Sequence, residues 1–313
     1  MKDSVPAGHM AALFSVCVWG VTYVCTKFLL EDFEPTEILL IRFVLGFSLL
    51  CVLCPHVFKV GDKKREALFV LAGLCGVCLY YLLENIALTY TMASNVGVIG
   101  AIIPFFTAII AHFIFREKER FGSGFVVGLV ISMVGIVMIA LNGQSMHINP
   151  LGDMLALLAV VVWAIYSVIL RKISEYGYNT VQVTRRCFLY GIIFMVPIAL
   201  ISGFDVSMDE LLRPDNLAYL LFLGLVASGM CFATWSYAVG RIGAVKSSVY
   251  IYLDPVIVVV TAAIFLGENI TLMALAGTAL TLAGLLISQF VDVVKTRSAL
   301  AIWPTASMRN WHP

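Results

Sequence analysis

The sequence predicts an all-α membrane protein with ten transmembrane helices, arranged as an inverted five-plus-five repeat. The first observation behind this prediction is composition. Apolar residues make up 61% of the chain and charged residues 12%, against about 45–50% and about 25% in soluble domains. The mean hydropathy is +0.98. A net charge of only +1 gives no indication of a nucleic-acid partner.

The second observation is the length of the apolar segments. Each has about 20 residues, which is what a helix needs to cross roughly 30 Å of hydrocarbon. In chain order the predicted spans are 9–30, 36–55, 67–89, 94–115, 121–141, 151–171, 181–202, 216–239, 244–266 and 272–290. The connections are too short to hold a soluble domain. The first segment is too long for a signal peptide and carries Trp19 and Lys27, so we expect a true span.

The third observation is a duplication with an offset of 144 to 151 residues. The matched pairs are Trp19 with Trp163, Arg42 with Arg186, Pro104 with Pro255, Glu117 with Glu268, Gly128 with Gly277, and Gly135 with Gly284. Each copy holds five spans. Because five is odd, the second copy enters the membrane from the opposite face, an arrangement typical of transporters with a site at the repeat interface. The expected units are 9–141, 151–290 and a cytoplasmic tail, 291–313.

The distribution of Lys and Arg predicts the orientation. With the N-terminus inside, the inner segments carry 15 of the 20 basic residues: Lys2, Lys59, Lys63, Lys64, Arg65, Arg116, Lys118, Arg120, Arg171, Lys172, Arg241, Lys246, Lys295, Arg297 and Arg309. The outer loops hold only Arg213, and the first of them is acidic. The positive-inside rule therefore places both termini in the cytoplasm. The expected location is the plasma membrane.

Two prolines, Pro104 and Pro255, lie near the centres of the fourth and ninth spans. Proline removes an intrahelical hydrogen bond and clashes with the preceding turn, so each is expected to kink its helix. Membrane helices also tolerate proline for purely structural reasons. The matched positions in both repeats favour hinges that line a central cavity.

Charges inside the spans are costly in lipid and usually face a cavity or a partner. Arg42 and Glu84 are predicted at similar depths, about 8–9 Å below the outer surface, where they could pair. Such a pair would either fix two helices or face a substrate. Arg186 is the repeat counterpart of Arg42, whereas Trp235 occupies the position that matches Glu84.

Asp254 stands beside Pro255 at mid-membrane. An ionised carboxylate there needs water or a cation, and Arg186 is the expected partner. A protonated form is the alternative, which would suit coupling to a proton, and a structural cap of the broken helix is a third reading.

Aromatic side chains are abundant in the spans, and most are expected to pack within the bundle or to anchor it at the interface. Trp163, Trp235, Tyr250 and Tyr252 are assigned to the predicted cavity, together with Asn95 in the run that leads to the first hinge. Gly124 and Gly128 form a small-xxx-small motif, which predicts close helix packing.

At these residues the chain resembles the drug/metabolite transporter superfamily, in its EamA-type branch with two tandem EamA domains. The resemblance covers about 9–290. Its first-half motifs are Trp-Gly-Val-Thr-Tyr at 19–23, Arg42, the run from Ala93 to Pro104, and Glu117. Its second-half motifs are Trp163, Arg186, the run from Gly243 to Pro255, and Leu-Gly-Glu at 266–268.

The resemblance implies ten inverted helices, cytoplasmic termini, a central cavity, alternating access and, usually, export of amino acids, other metabolites or drugs. The small multidrug pumps of the superfamily depend on a glutamate in the first helix. No carboxylate lies within the first span here, so that mechanism does not transfer.

The expected function is secondary transport of a small organic solute. The alternatives are a membrane enzyme or a receptor or scaffold built on the same bundle. The sequence contains no Walker motif, His-rich motif or Gly-x-Ser-x-Gly motif, so neither ATP-driven transport nor catalysis is expected. The closely spaced cysteines Cys51/Cys54 and Cys75/Cys78 are expected to be small apolar helix residues, and no metal or cofactor is predicted.

Overall fold

The computed structural model describes residues 4–56, 58–91, 93–115, 122–140, 149–265 and 271–301. Within these ranges the regular secondary structure is helical, with no strand. The helices of the first half are α1 (Ser4–Leu29), α2 (Pro35–Leu53), α3 (Lys63–Tyr90), α4 (Ala93–Gly100), α5 (Ile103–Phe115) and α6 (Ser123–Ala140).

The helices of the second half are α7 (Pro150–Ser174), α8 (Thr180–Ile201), α9 (Met208–Leu211), α10 (Pro214–Ile242), α11 (Ala244–Ser248), α12 (Asp254–Phe265) and α13 (Leu272–Ala301). A 3-10 helix, Val249–Leu253, joins α11 to α12.

Among the described residues, six helices are long and apolar enough to cross a membrane: α1, α2, α3, α7, α8 and α10. Shorter apolar helices include Ile103–Phe115, Ser123–Met138 and Leu275–Ser288. These findings confirm an all-helical, multi-pass membrane protein. The count of ten spans stays a prediction.

Local sequence signals explain where several helices begin. Pro35 occupies the first turn of α2, where no intrahelical acceptor exists for a backbone N–H. Glu37 accepts the backbone N–H of Glu34 at 2.9 Å and so caps the same turn. The side chains of Asn149 and Asn179 accept backbone N–H groups at the starts of α7 and α8.

Both predicted hinges coincide with interruptions of the helical backbone. Pro104 is the second residue of α5, which is separated from α4 by a turn at 101–102. Pro255 is the second residue of α12 and follows the 3-10 helix. Proline is tolerated in a first helical turn but cannot continue the helix before it. A turn therefore interrupts the helix before Pro104, and a change from 3-10 to α-helical geometry occurs at Pro255.

The third long helix of each half contains a π-helical stretch. These stretches are Leu74–Leu79 in α3 and Phe222–Met230 in α10, and their ends lie 148 and 151 positions apart. Such stretches are rare and are frequent at functional sites. Each one changes the angle at which the following residues leave the helix.

α6 and α13 pack through small residues that are repeat counterparts. Gly128 lies against Gly284, and Gly135 lies against Gly277. At the centre of the seam, Ser132 Oγ donates to the carbonyl oxygen of Thr281 at 3.3 Å. The pairing is antiparallel, and Ser132 and Thr281 are 149 positions apart, so a local two-fold axis passes between these two residues.

The first helix of each half packs against the opposite half in the same way. α1 contacts α10 and α12, while α7 contacts α3 and α5. Trp19 of α1 and Trp163 of α7, which are repeat counterparts, meet edge to face with their ring centroids 5.3 Å apart. The two halves therefore share one core around the local axis.

Candidate functional site

A narrow cavity lies inside the bundle where the two halves meet. Residues from both halves line it: Trp19, Thr22 and Tyr23 of α1, Tyr80, Tyr81 and Glu84 of α3, Ile103 of α5, Trp163 of α7, Ile251 of the 3-10 helix, and Asp254 of α12. Its volume is about 20 Å³, which is room for about one water molecule. Among the described lining residues, Glu84 and Asp254 carry the charges.

Aromatic rings form most of the cavity wall. The rings of Tyr80 and Trp163 are 4.6 Å apart between centroids, and those of Tyr80 and Tyr81 are 4.8 Å apart at 86°. Trp19 Nε1 donates to the carbonyl oxygen of Ala227 at 2.9 Å. Trp163 Nε1 is buried and has no hydrogen-bond acceptor among the described residues. The wall thus presents π faces and one buried N–H donor.

Glu84 is held in place by its own helix. Tyr80, one turn earlier, donates its hydroxyl to Glu84 Oε1 at 2.6 Å. The side chain is 8% exposed. A short hydrogen bond to a buried carboxyl group fixes its rotamer, so Glu84 is a positioned group rather than a mobile one.

Asp254 begins α12 directly after the 3-10 helix and is 6% exposed. Within the described part of the chain, its Oδ1 atom has no hydrogen-bond partner. A buried polar atom without a partner costs free energy, more so for a carboxyl group. This atom is the strongest indication that the cavity binds something.

Arg42 lies in the layer behind the cavity wall and is fully buried. Its Nε donates to Ser228 Oγ at 3.0 Å, and its guanidinium stacks on the ring of Tyr81, 4.5 Å from the centroid. The predicted ion pair between Arg42 and Glu84 is wrong, since none forms between these two described side chains. Arg42 instead faces Ser228 and the Tyr81 ring.

Arg186 lies at the face of the bundle where α1 begins. It binds both carboxylate oxygens of Glu66, at 2.6 and 2.7 Å, and donates to the carbonyl oxygen of Phe58 at 2.9 Å. The hydroxyl of Tyr190 also donates to Glu66. The predicted partnership of Arg186 with Asp254 is therefore wrong. Arg186 instead ties α8 to the start of α3.

Three other residues that were assigned to the cavity from sequence, Trp235, Tyr250 and Tyr252, are not among its lining residues. Trp235 is fully buried, with its ring 5.1 Å from that of Trp19. Tyr252 is fully buried, and its hydroxyl has no partner among the described residues. Tyr250 bonds through its hydroxyl to His9 Nδ1 at 2.8 Å, near the start of α1. Asn95 belongs to α4, and its side chain lies outside the described part of the structure.

Three lining residues, Tyr23, Tyr80 and Tyr81, were not assigned to the cavity from sequence. A usable signal was present, because Trp19 with Tyr23 and Tyr80 with Glu84 are each four residues apart, on one helix face. Two side chains with polar groups, one turn apart on a buried helix, indicate a polar lining.

Membrane-spanning helices in two repeated halves, with a buried polar cavity between them, define the class of small-solute transporters. The EamA-like transporter family model matches residues 6–141 and 150–290. The chain belongs to this family.

Proteins of similar sequence are also named as transporters. An uncharacterized transporter of Archaeoglobus fulgidus is 28% identical over 290 residues, which is 90% of this chain and 96% of that protein. A probable amino-acid metabolite efflux pump of Salmonella typhimurium is also 28% identical, over 89% of this chain and 93% of the pump. A crystal structure matches the fold with a TM-score of 0.73 at 17% identity, covering 94% of this chain and 99% of that one.

Proposed function

We propose that the protein is a secondary exporter of small organic solutes, with amino acids and their metabolites as the first class to test. The observation that carries this proposal is the cavity, which both halves line and which contains an unpartnered carboxylate atom. The similar Salmonella pump adds the substrate class. Drugs and other metabolites remain within the same class of small organic solutes.

The proposed architecture is ten transmembrane helices in an inverted five-plus-five repeat, with units 9–141 and 151–290 and a cytoplasmic tail, 291–313. The antiparallel seam between α6 and α13 supports it, because a two-fold axis perpendicular to these helices turns one half upside down relative to the other. The reciprocal packing of α1 and α7 supports it as well.

The proposed mechanism is alternating access about the breaks at Pro104 and Pro255. Polar ties join the two halves on both sides of the cavity. Glu66 and Arg186 form the tie at the face where α1 begins. At the opposite face, Arg213 binds Asp32 at 2.8 Å. Opening one face requires the ion pair at that face to dissociate while the ion pair at the other face stays formed.

We propose that the face where α1 begins is cytoplasmic, in a plasma membrane, as the Lys and Arg distribution predicts. Glu84, Trp163 and Asp254 are proposed to contact the solute, with Arg42, Trp235 and Tyr252 in the layer behind them. Tyr250, Asn95 and Arg186 are proposed to act in the conformational change. The membership of a transporter family supports the inference that the protein is not an enzyme.

Counterflow in proteoliposomes tests the transport proposal. Vesicles loaded with one unlabelled amino acid at a time should accumulate the same labelled amino acid, for at least one member of a panel. Trp163→Ala removes a lining ring and should slow counterflow by about tenfold. Val127→Ala, at an exposed position of α6, is the matched control and should leave the rate unchanged. Equal rates in both variants would contradict the assignment of the cavity.

A further inference from the structure

We propose that Glu84, Asp254 and Arg42 form a charge-balanced triad that holds one exchangeable positive charge in the cavity. That charge is the ammonium group of an amine substrate in one state and a proton in another. This inference rests on the proposed transport function and specifies the substrate class and the coupling ion.

The first step is the unpartnered oxygen. Asp254 Oδ1 is buried and has no hydrogen-bond partner among the described residues, yet its side chain lines the cavity. The folded state tolerates a buried carboxyl group in two forms. One is a carboxylate with a cation beside it, and the other is the protonated, neutral acid. The cavity that Asp254 lines, at about 20 Å³, is where such a ligand would enter.

The second step is the charge count. The guanidinium of Arg42 is always charged and stacks on the ring of Tyr81, which lines the cavity. Glu84 and Asp254 line the same cavity. With both carboxyl groups ionised the triad has a net charge of −1. One proton or one ammonium group makes it neutral, and a membrane interior favours the neutral state.

The third step is the wall. Rings of Trp19, Tyr23, Tyr80 and Trp163 surround the cavity, and aromatic faces attract ammonium groups. Trp163 Nε1, a buried donor with no acceptor in the described structure, lies in the same wall. An amine that carries an acceptor group nearby, as amino acids and amino alcohols do, satisfies both unpartnered groups at once.

Other titratable groups also face the carboxyl pair. Tyr23 faces it from α1, which also carries the exposed Cys17, and Tyr80 and Tyr81 face it from α3, with Arg42 behind Tyr81. Tyr252 shares the segment that leads to Asp254. Cysteine and tyrosine are ordinarily neutral near pH 7, and arginine is ordinarily charged. The exchangeable proton is therefore assigned to the two carboxyl groups.

The exchange balances without a further reactant. When the amine binds, the O–H bond of one carboxylic acid breaks and the proton leaves to the aqueous phase. The ammonium group then donates to the resulting carboxylate. Release of the amine on the other side reverses the step with a proton taken from that side, so one proton moves against one amine.

The test uses the purified full chain in lipid nanodiscs and two probes, phenethylammonium and its neutral isostere 2-phenylethanol. Calorimetry should show affinity for phenethylammonium that falls about tenfold for each pH unit lowered through the titration of the pair. A pH dye in weak buffer should record about one proton released per phenethylammonium bound. 2-Phenylethanol should bind weakly, with no pH dependence and no proton release.

Asp254→Asn and Glu84→Gln should each weaken phenethylammonium binding by about 10- to 100-fold and abolish proton release. Asp254→Glu, which keeps the charge, should restore both. Glu31→Gln, at an exposed position before α2, is the matched control and should change neither. Gel filtration and thermal unfolding check folding. If a neutral variant fails to fold, the proposal is tested by two measurements instead. These are the pH dependence of phenethylammonium binding to the wild type, and binding and proton release by the Asp254→Glu variant.

Equal affinity for the two probes, or phenethylammonium binding without proton release, would overturn the triad. Net efflux of amino acids from loaded vesicles with no proton moving in the opposite direction would also overturn it and would leave the transport proposal standing. Failure of counterflow for the whole panel in wild-type vesicles would instead refute the proposed function.

Discussion

A guanidinium buried among apolar helices must be stabilised by several weak contacts when it lacks an ion-pair partner. Arg42 illustrates this at the level of one residue. Among the described residues it has one hydrogen bond, to Ser228, and it stacks on Tyr81 and Phe43 at 4.5 and 5.4 Å. Cation–π contacts are worth about 2 kcal/mol or more when desolvated. A lysine would keep the charge but lose the planar stacking.

The ion pair between Arg186 and Glu66 is expected to stabilise the fold. Arg186→Met and Glu66→Gln should each destabilise by about 1–2 kcal/mol, because the pair is bidentate but partly exposed. The double variant should lose less than the sum of the two losses. Thermal unfolding in detergent measures the free energies.

The ion pair between Arg65 and Asp62 is the matched control. Its atoms are 3.8 Å apart and both side chains are highly exposed, so Arg65→Met should cost less than about 0.5 kcal/mol. Strictly additive losses for Arg186 and Glu66 would show that their contact contributes nothing.

At this scale a count along the sequence predicts a depth for each side chain but not a direction. The depth of a side chain follows from the helical rise of about 1.5 Å per residue. That count placed Arg42 and Glu84 at similar levels. The angle around the helix axis decides which neighbour a side chain meets, and a count along the chain does not provide it. The pairs Arg42–Glu84 and Arg186–Asp254 were wrong for this reason.

At the scale of elements, the π-helical stretches explain part of that difficulty. A π turn holds more residues than an α turn, so the side chains that follow it are rotated relative to a regular helix. Tyr80, Tyr81 and Glu84 follow such a stretch in α3. The sequence pattern predicted the long helices and, from the two prolines, kinks near Pro104 and Pro255. It could not predict which face of α3 lines the cavity.

The seam between α6 and α13 should tolerate no added side-chain volume. A methyl group on Gly284 would stand 2.6 Å from the carbonyl oxygen of Gly128, and Gly128 is equally crowded. Gly128→Ala should therefore destabilise by about 1–3 kcal/mol. Melting temperature in detergent is the measurement.

Gly97→Ala in α4 is the control, because a Cβ there meets nothing within 4 Å. It should be neutral or stabilising by up to about 1 kcal/mol. If the two substitutions had the same effect, the helices would not be in the close contact described.

Pro255→Ala should leave the protein folded but slow counterflow, because a helix that continues through the break resists the motion proposed there. Pro197→Ala is the matched control. Pro197 lies inside α8, away from the two breaks, and its replacement should leave the rate unchanged. Stopped-flow counterflow compares the two, and equal rates would argue against a hinge at Pro255.

At the scale of the whole molecule, the orientation can be tested chemically. In a cysteine-free background, single cysteines at Glu34, Gln144 and Asp209 should react with an impermeant thiol reagent in intact cells. Cysteines at Lys63, Lys118 and Lys172 should react only after permeabilisation, because positive-inside loops stay in the cytoplasm. The reverse labelling pattern would contradict both the orientation and the inverted repeat.

The helices are repeated in the two halves, but the charges of Glu84 and Asp254 are not, and this difference affects the direction of solute transport. The counterparts of Glu84 and Asp254, 151 positions away, are Trp235 and Ile103. In a bundle made of two interchangeable halves, the inward-open and outward-open forms would be degenerate in energy. Side chains without a counterpart lift that degeneracy. We therefore expect any difference between the two resting populations, and so the preferred sense of solute movement, to depend on a few such substitutions rather than on the helices that carry them.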